Sequence, residues 1–172
     1  MEIRILGEDG SAVPTGEPGM VYIRPPGDRR FSYRNDDAAT SRAWRGDAFT
    51  VGDIGYLDGD GYLTITDRIS DMVLWGGVNI APREIEEVLY EHPHVVDCAV
   101  FGIPDDRDGE RLCAMVQVRG TVGADELEAH VGATLASYKV PHAWEIVPEI
   151  PRDQNGKVLK RLLRAGHRSG PT

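Results

Sequence analysis

Residues 51–89 read VGDIGYLDGDGYLTITDRISDMVLWGGVNIAPREIEEVL. The first half alternates apolar and polar side chains on either side of Asp58-Gly59-Asp60-Gly61, a strong hairpin signal. The last part changes period. Ile85, Val88 and Leu89 fall on one face of a helix that has Pro82 in its first turn and is stopped by Pro93. Between the two lie an Asp67-Arg68 step, Ser70 and the pair Gly76-Gly77. The switch from a two-residue to a helical period marks a change of architecture, with the boundary near Asp67–Asp71.

Working outward, the region before the boundary reads as β. EIRIL alternates, GEDGSAVPTGEPG is turn-rich, and MVYIRP is a second strand. One helical turn is expected from Asp36 to Ala43, and AFTVGDIGYL is expected as a single strand entering the hairpin. After the boundary the pattern is mixed. MVLWGG reads as a strand ending in the Gly pair. VVDCAVFGIP and RLCAMVQV are strands joined by a charged loop at 104–111. ADELEAHVGATLASY is a helix burying Leu127, Val131 and Leu135. AWEIV is a further strand, PEIPRDQNG a loop, and KVLKRLLRA a short basic helix opened by Lys157; GHRSGPT is expected to fray. The fold class is therefore α+β: a small antiparallel β subdomain over 1–69, then a mixed α/β domain over 70–172.

The chain has 172 residues, is 41% hydrophobic and carries a net charge of −9. That balance argues against nucleic acid as a partner. No apolar run approaches the about 20 residues of a membrane span, and Met1 leads into a strand pattern rather than a signal peptide. Cys98 and Cys113 sit in apolar strand runs and read as buried thiols of a cytoplasmic protein, with a disulfide between neighbouring strands as the alternative. The charge is uneven: acidic through 67–150, basic over 151–172, where Arg152, Lys157, Lys160, Arg161, Arg164 and Arg168 face Asp153 alone. This is either a solvated basic helix or a local site for an anion.

Several chemistries find no support. The acidic turns at Asp58–Gly61 and Asp105–Glu110 lack the twelve-position calcium loop and its terminal Glu. The five histidines show no four-residue helical pairing, so no metal site is expected. There is no nucleophile elbow, no G-x-x-x-x-G-K-[ST] and no strand-linked G-x-G-x-x-G. Asp53 stands out because a carboxylate inside an apolar strand is costly unless paired or ligand-bound. It either caps a bulge beside Gly52 or accepts hydrogen bonds from a ribose diol. Arg68 at a strand end and Lys157 after Asn155-Gly156 are, taken alone, ordinary solvated cations.

Read in order, these pieces resemble one family, the AMP-forming acyl-CoA synthetases of the adenylate-forming enzymes. FTVGDIGYLDGDGYLTITDR is similar to the family's segment running from T-G-D to G-R. DRISDMVLWGGVNIAPREIEEVL is similar to its hinge and Gly loop, and HPHVVDCAVFGIPDDRDGE to the next block. YKVPHAWEIVPEIPRDQNGKVLKRLLR is similar to the terminal P-R-x-x-x-G-K motif. The style resembles bacterial fatty-acyl-CoA ligases more than the amino-acid-activating or luciferase branches. The resemblance implies that Asp53 and Arg68 bind the ribose and phosphate of the nucleotide. It implies a pivot at Ser70 within a hinge near 68–71, and a CoA-side loop at Gly76, Gly77 and Val78. Lys157 is implied as the adenylation lysine. Val51 and Asp67 replace the commoner Thr and Gly of the family pattern without removing functional atoms, and Ser70 stands where many members carry Asp or Lys, a tolerable departure.

The resemblance also implies ATP, Mg2+ and CoA as ligands of the complete enzyme, none held by this chain alone, and a carboxylic acid of fatty type as substrate. The family's phosphate loop, adenine-binding segment, magnesium-binding Glu and acyl pocket have no counterpart in these residues. They are expected on a separate N-terminal large domain, of which 1–69 is the end and 70–172 the mobile lid. A non-catalytic module that binds CoA or a partner large-domain chain is the alternative.

Overall fold

A computed structural model describes residues 1–27 and 29–167. Of the tail expected to fray, Gly166 and His167 instead close the last helix of the chain, and the residues from Arg168 on lie outside the described residues. The chain divides into two compact units, Met1–Ser70 and Asp71–Thr172.

The first unit is an antiparallel sheet with one short helix. Its strands are β1 (Glu2–Leu6), β2 (Gly19–Arg24), β3 (Trp44–Arg45), β4 (Ala48–Phe49), β5 (Asp53–Leu57) and β6 (Leu63–Arg68). One edge of β2 is paired with β1 along its length, and the other is shared by β4 at Ile23 and β5 at Gly19 and Met20. Helix α1 (Asp37–Ala43) starts where expected because the Asp36 carboxylate caps the Ala39 N–H. The single strand expected over AFTVGDIGYL is broken. Gly52 takes a φ of +85°, which only glycine adopts freely, and the chain re-enters the sheet against a different part of β2. The small hairpin of β3 and β4 was not legible, since each strand is two residues long. Burial is thin here: Ile5, Val21, Ala43 and Ala48 are the buried apolar side chains among the described residues. Phe31, Trp44 and Phe49 supplement them, with ring centroids about 5 Å apart.

The second unit has three layers. Its strands are β7 (Val73–Trp75), β8 (Val78–Ile80), β9 (Val95–Asp105), β10 (Gly109–Val118) and β11 (Ala143–Val147). Strand β10 is central. Antiparallel β9 covers one edge, while the other is shared by parallel β11 over 113–117 and antiparallel β7 at Gly109. Helices α2 (Pro82–Tyr90) and α3 (Ala124–Thr134) bury Ile85, Val88, Leu89, Leu127 and Val131 against one face of the sheet. Helix α4 (Lys160–His167) contributes Leu163 to a cluster on the other, with Phe101, Cys113, Met115 and Ile150.

Four expectations for this unit are corrected. MVLWGG does not end as a lone strand, because VNI returns as β8. The charged loop at 104–111 shrinks to 106–108, because β9 and β10 continue pairing out to Asp105 and Gly109. Helix α3 stops at Thr134, leaving Leu135 half-buried at its end, and a 3-10 turn at Ser137–Lys139 follows, tied to α2 by Lys139–Glu84. The terminal helix begins at Lys160, not Lys157.

The disulfide alternative also fails. Cys98 faces Val116 and Cys113 faces Phe101 across the ladder, and the two thiols pack into clusters on opposite faces of the sheet. Both are free and buried. Burial first, then neighbouring carboxylates, pushes each thiol up to about 12, so neither is nucleophilic near neutral pH.

Candidate functional site

In the first unit the structure brings Asp53 and Arg68 together. Asp53 opens β5, Arg68 closes β6, and the two residues are directly paired across the ladder. Arg68 Nε donates to Asp53 Oδ1 at 2.8 Å. Asp53 therefore does not cap a bulge. The bulge falls one step on, between Ile54 and Gly55, and its place is fixed by Gly55: a Cβ there would lie 2.3 Å from the Thr64 carbonyl oxygen. The Asp53 side chain remains 21% exposed, so the carboxylate is oriented without being sealed off. Ser70 lies in the turn after Arg68, exposed and at the last position of the unit.

In the second unit Gly76 and Gly77 are the two central residues of the β7–β8 hairpin, with Trp75 paired to Val78. Their φ values are +54° and +83°. Positive φ at both positions is the signature of the two-residue turn whose twist matches its strands. The turn is anchored, because Gly76 N–H donates to the Asp108 carbonyl and Leu74 N–H to Glu110 Oε2. Gly76, Gly77 and Val78 are all exposed, and a Cβ on either glycine would meet nothing within 4 Å.

Lys157 lies on a tongue and not at the helix start that its sequence predicts. Arg152 and Val158 form a β-bridge, and Asp153-Gln154-Asn155-Gly156 is the turn between them. The Asp153 carboxylate accepts the N–H groups of Asn155 and Lys157, Gly156 N–H donates back to the Asp153 carbonyl, and Gly156 has a φ of +77°. The same pattern of bonds recurs at Asp58-Gly59-Asp60-Gly61-Tyr62, the hairpin turn joining β5 to β6. Lys157 occupies the position that Tyr62 holds there. It is exposed, and its ammonium has no partner among the described residues.

The tongue is held by residues that no local pattern singled out. Arg152 Nη1 donates to the Gly156 carbonyl at 2.7 Å, while its Nη2 and Nε reach both oxygens of Asp97 on β9. Tyr90 Oη, at the end of α2, donates to the same carboxylate at 2.7 Å. Burial acts to raise the Asp97 carboxyl, but the bonds from Arg152 and Tyr90 outweigh it and hold the group below its ordinary range. Burial, with the bond to Asp97, pushes the Tyr90 hydroxyl up, so it stays a donor. Behind the tongue, Lys160 pairs with Glu86 at 2.8 Å with both side chains mostly buried, and Arg164 donates to the Asp71 carbonyl. Of the basic residues that raised the prospect of an anion site, Arg152, Lys160 and Arg164 are thus engaged within the unit.

Replacing Asp97 with Asn is expected to cost about 1–2 kcal/mol near neutral pH, the range for hydrogen bonds to a charged group discounted for the partly exposed Arg152. The sign follows from the lowered carboxyl. Its contribution is complete above the unfolded value of about 3.9 and is lost as pH falls through the lower folded value. Thermal melts of both proteins should show a constant gap from about pH 5 to 7 that closes below about pH 4. A gap that persists unchanged in acid would contradict this account of the clamp.

The two ends of β9 separate the Gly turn from the Lys157 tongue. The Gly turn sits beside Asp108, just past the end of the strand, and the Lys157 tongue is tied to Asp97 near its start. Asp97 to Asp105 spans roughly 26 Å at about 3.3 Å per residue.

The family described as AMP-binding enzyme C-terminal domain matches residues 84–157. A feruloyl-CoA synthase from Amycolatopsis is 39% identical over 165 residues, 95% of this chain and 33% of its own length. Residues 84–157 belong to the AMP-binding enzyme C-terminal domain family, and the relatives that cover the chain are acyl-CoA ligases. A long-chain-fatty-acid–CoA ligase from Bacillus subtilis is 38% identical over 158 residues, covering 91% of this chain and 28% of the ligase. An ATP-bound crystal structure of MatB from Rhodopseudomonas palustris superposes on this chain with a TM-score of 0.87 at 32% identity, covering 96% of the chain and 33% of that structure. The chain spans about a third of the length of the curated relatives it matches. Among its described residues, no helix is long and apolar enough to cross a membrane.

Proposed function

We propose that this chain is the lid-bearing part of an ATP-dependent, AMP-forming ligase that joins a carboxylic acid to CoA. The observation that carries the reading is the tongue: a solvent-facing ammonium on a turn fixed by Asp153 and clamped by Arg152 and Asp97. In the first half-reaction the acid's carboxylate attacks the α-phosphate of ATP and pyrophosphate leaves. Lys157 offsets the negative charge gathered on the two groups. In the second, the CoA thiol attacks the acyl carbonyl, AMP leaves, and the exposed Gly76-Gly77-Val78 turn lines the thiol's approach. Asp53 takes the ribose hydroxyls. A carboxylate is acceptor-only, and this one keeps an exposed surface while Arg68 holds one oxygen. ATP and CoA are substrates, Mg2+ accompanies the nucleotide, and no residue of this chain is assigned to the ion.

Residues 1–69 then form the end of a large domain and 70–172 a mobile lid, with the pivot at Ser70 in a hinge over 68–71. Placing the Gly turn and Lys157 at opposite ends of β9 supports a swing that presents them in turn. The remaining domain supplies the phosphate loop and acyl pocket, and the acid is of fatty type, in a cytoplasmic enzyme. The long-chain relative supports that acid, and the feruloyl relative makes aromatic acids the other arm of the test.

The test is ATP–pyrophosphate exchange with fatty and aromatic acids. It is run on the chain alone and on the chain joined to the N-terminal two-thirds of the feruloyl-CoA synthase relative. We expect no exchange from the first and acid-dependent exchange from the second. Robust exchange by the chain alone overturns the division of labour, and a correctly folded joined protein without exchange overturns the ligase reading.

A further inference from the structure

We propose that Cys113, Glu145 and His167 form a binding site for a single divalent transition-metal ion, zinc being the best fit. Their ligand atoms all lie within 4.8 Å of one another. The convergence is built by three elements. In the parallel pairing of β10 with β11, Cys113 is opposite Ala143 and Met115 opposite Glu145, so all four side chains share the face covered by α4. On that helix His167 falls four residues after Leu163, on the stripe that packs into the same cluster. The imidazole is already aimed: Nε2 lies 3.3 Å from Glu145 Oε1, and the ring centroid lies 5.5 Å from that of Phe101.

The donor set selects the ion. One sulfur, one imidazole nitrogen and one carboxylate oxygen suit a borderline-soft metal and disfavour calcium or magnesium, which take oxygen. Tetrahedral zinc with ordinary bond lengths places such donors roughly 3.3–3.6 Å apart, which small rotations of the Glu145 and His167 side chains reach. Both remain partly exposed, at 37% and 22%, leaving the fourth position to water. On binding, the Cys113 thiol gives its proton to solvent as the metal–sulfur bond forms. The sequence hid this site because 113, 145 and 167 are far apart and only strand pairing and helix docking unite them. It is independent of the ligase reading. Its consequence is structural, pinning the end of α4 to the sheet.

The experiment uses the tag-free 172-residue chain stripped of metal. Zinc is titrated in competition with a chromophoric chelator, and cobalt(II) serves as a spectroscopic stand-in. We expect one ion per chain, a thiolate-to-cobalt charge-transfer band, and a zinc-dependent rise in melting temperature. Cys113→Ser should abolish the band. Because that thiol is in the core, His167→Gln provides the milder variant and should weaken zinc at least about tenfold while the metal-free melting temperature stays near wild type. Absence of the band, or zinc binding that neither substitution changes, overturns the site.

Discussion

Lys157→Ala, made in the joined enzyme, should lower acid-dependent ATP–pyrophosphate exchange by roughly 10²–10³, the loss expected for one charge contact formed mainly in the transition state. Thioester formation from supplied acyl-adenylate and CoA should stay within a few-fold of wild type. The structure makes the substitution clean. Lys157 is exposed, its ammonium has no partner among the described residues, and its tongue is held by backbone and by Asp153 and Arg152. Truncating the side chain removes the charge and leaves the turn standing. The KM for the acid should change less than kcat, because the contact matters most while the carboxylate attacks. Equal losses in both half-reactions would mean that Lys157 serves folding or docking instead of adenylation.

The difference between what was legible and what was not follows the range of the forces involved. Strands with alternating patterns and the β5–β6 hairpin were readable because the signal is local: Asp58 and Gly61 make the turn by themselves. Helix α2 was readable because its apolar stripe and Pro82 lie within a few residues of each other. The Lys157 tongue carries the same local signal, since Asp153 and Gly156 repeat the Asp58 and Gly61 spacing. It was overlooked because the basic stretch that follows resembles a helix that begins earlier than it does. The Gly pair was read as a strand end, although two adjacent positive-φ residues between apolar runs fit a two-residue hairpin. By contrast, nothing near Arg152 in sequence announces Asp97, 55 residues away, because only the docking of the tongue on β9 joins them. The pairing of Asp53 with Arg68 lies between these cases. Both residues were singled out, but their direct opposition depends on a bulge that Gly55 sets through a backbone contact.

Gly77→Trp should have the opposite selectivity to Lys157→Ala: thioester formation from supplied acyl-adenylate falls about 10²-fold, the cost of keeping a reacting group from its attack geometry, while pyrophosphate exchange changes little. A Cβ at Gly77 meets nothing within 4 Å, so the indole has open space to enter and the core is not disturbed. The penalty on the protein itself is confined to forcing an L residue to a φ of +83°, roughly 1–2 kcal/mol. The β7–β8 hairpin can absorb it, because Gly76 N–H and Leu74 N–H tie the turn to Asp108 and Glu110. Gly77→Asn separates bulk from strain. Asn tolerates positive φ and is small, so it should leave both half-reactions near wild type. If Asn at this position is as damaging as Trp, the turn's conformation matters and not the space above it. If Trp depresses both half-reactions alike, the turn does not line the thiol's approach, and the assignment of the two ends of β9 to two separate steps is wrong.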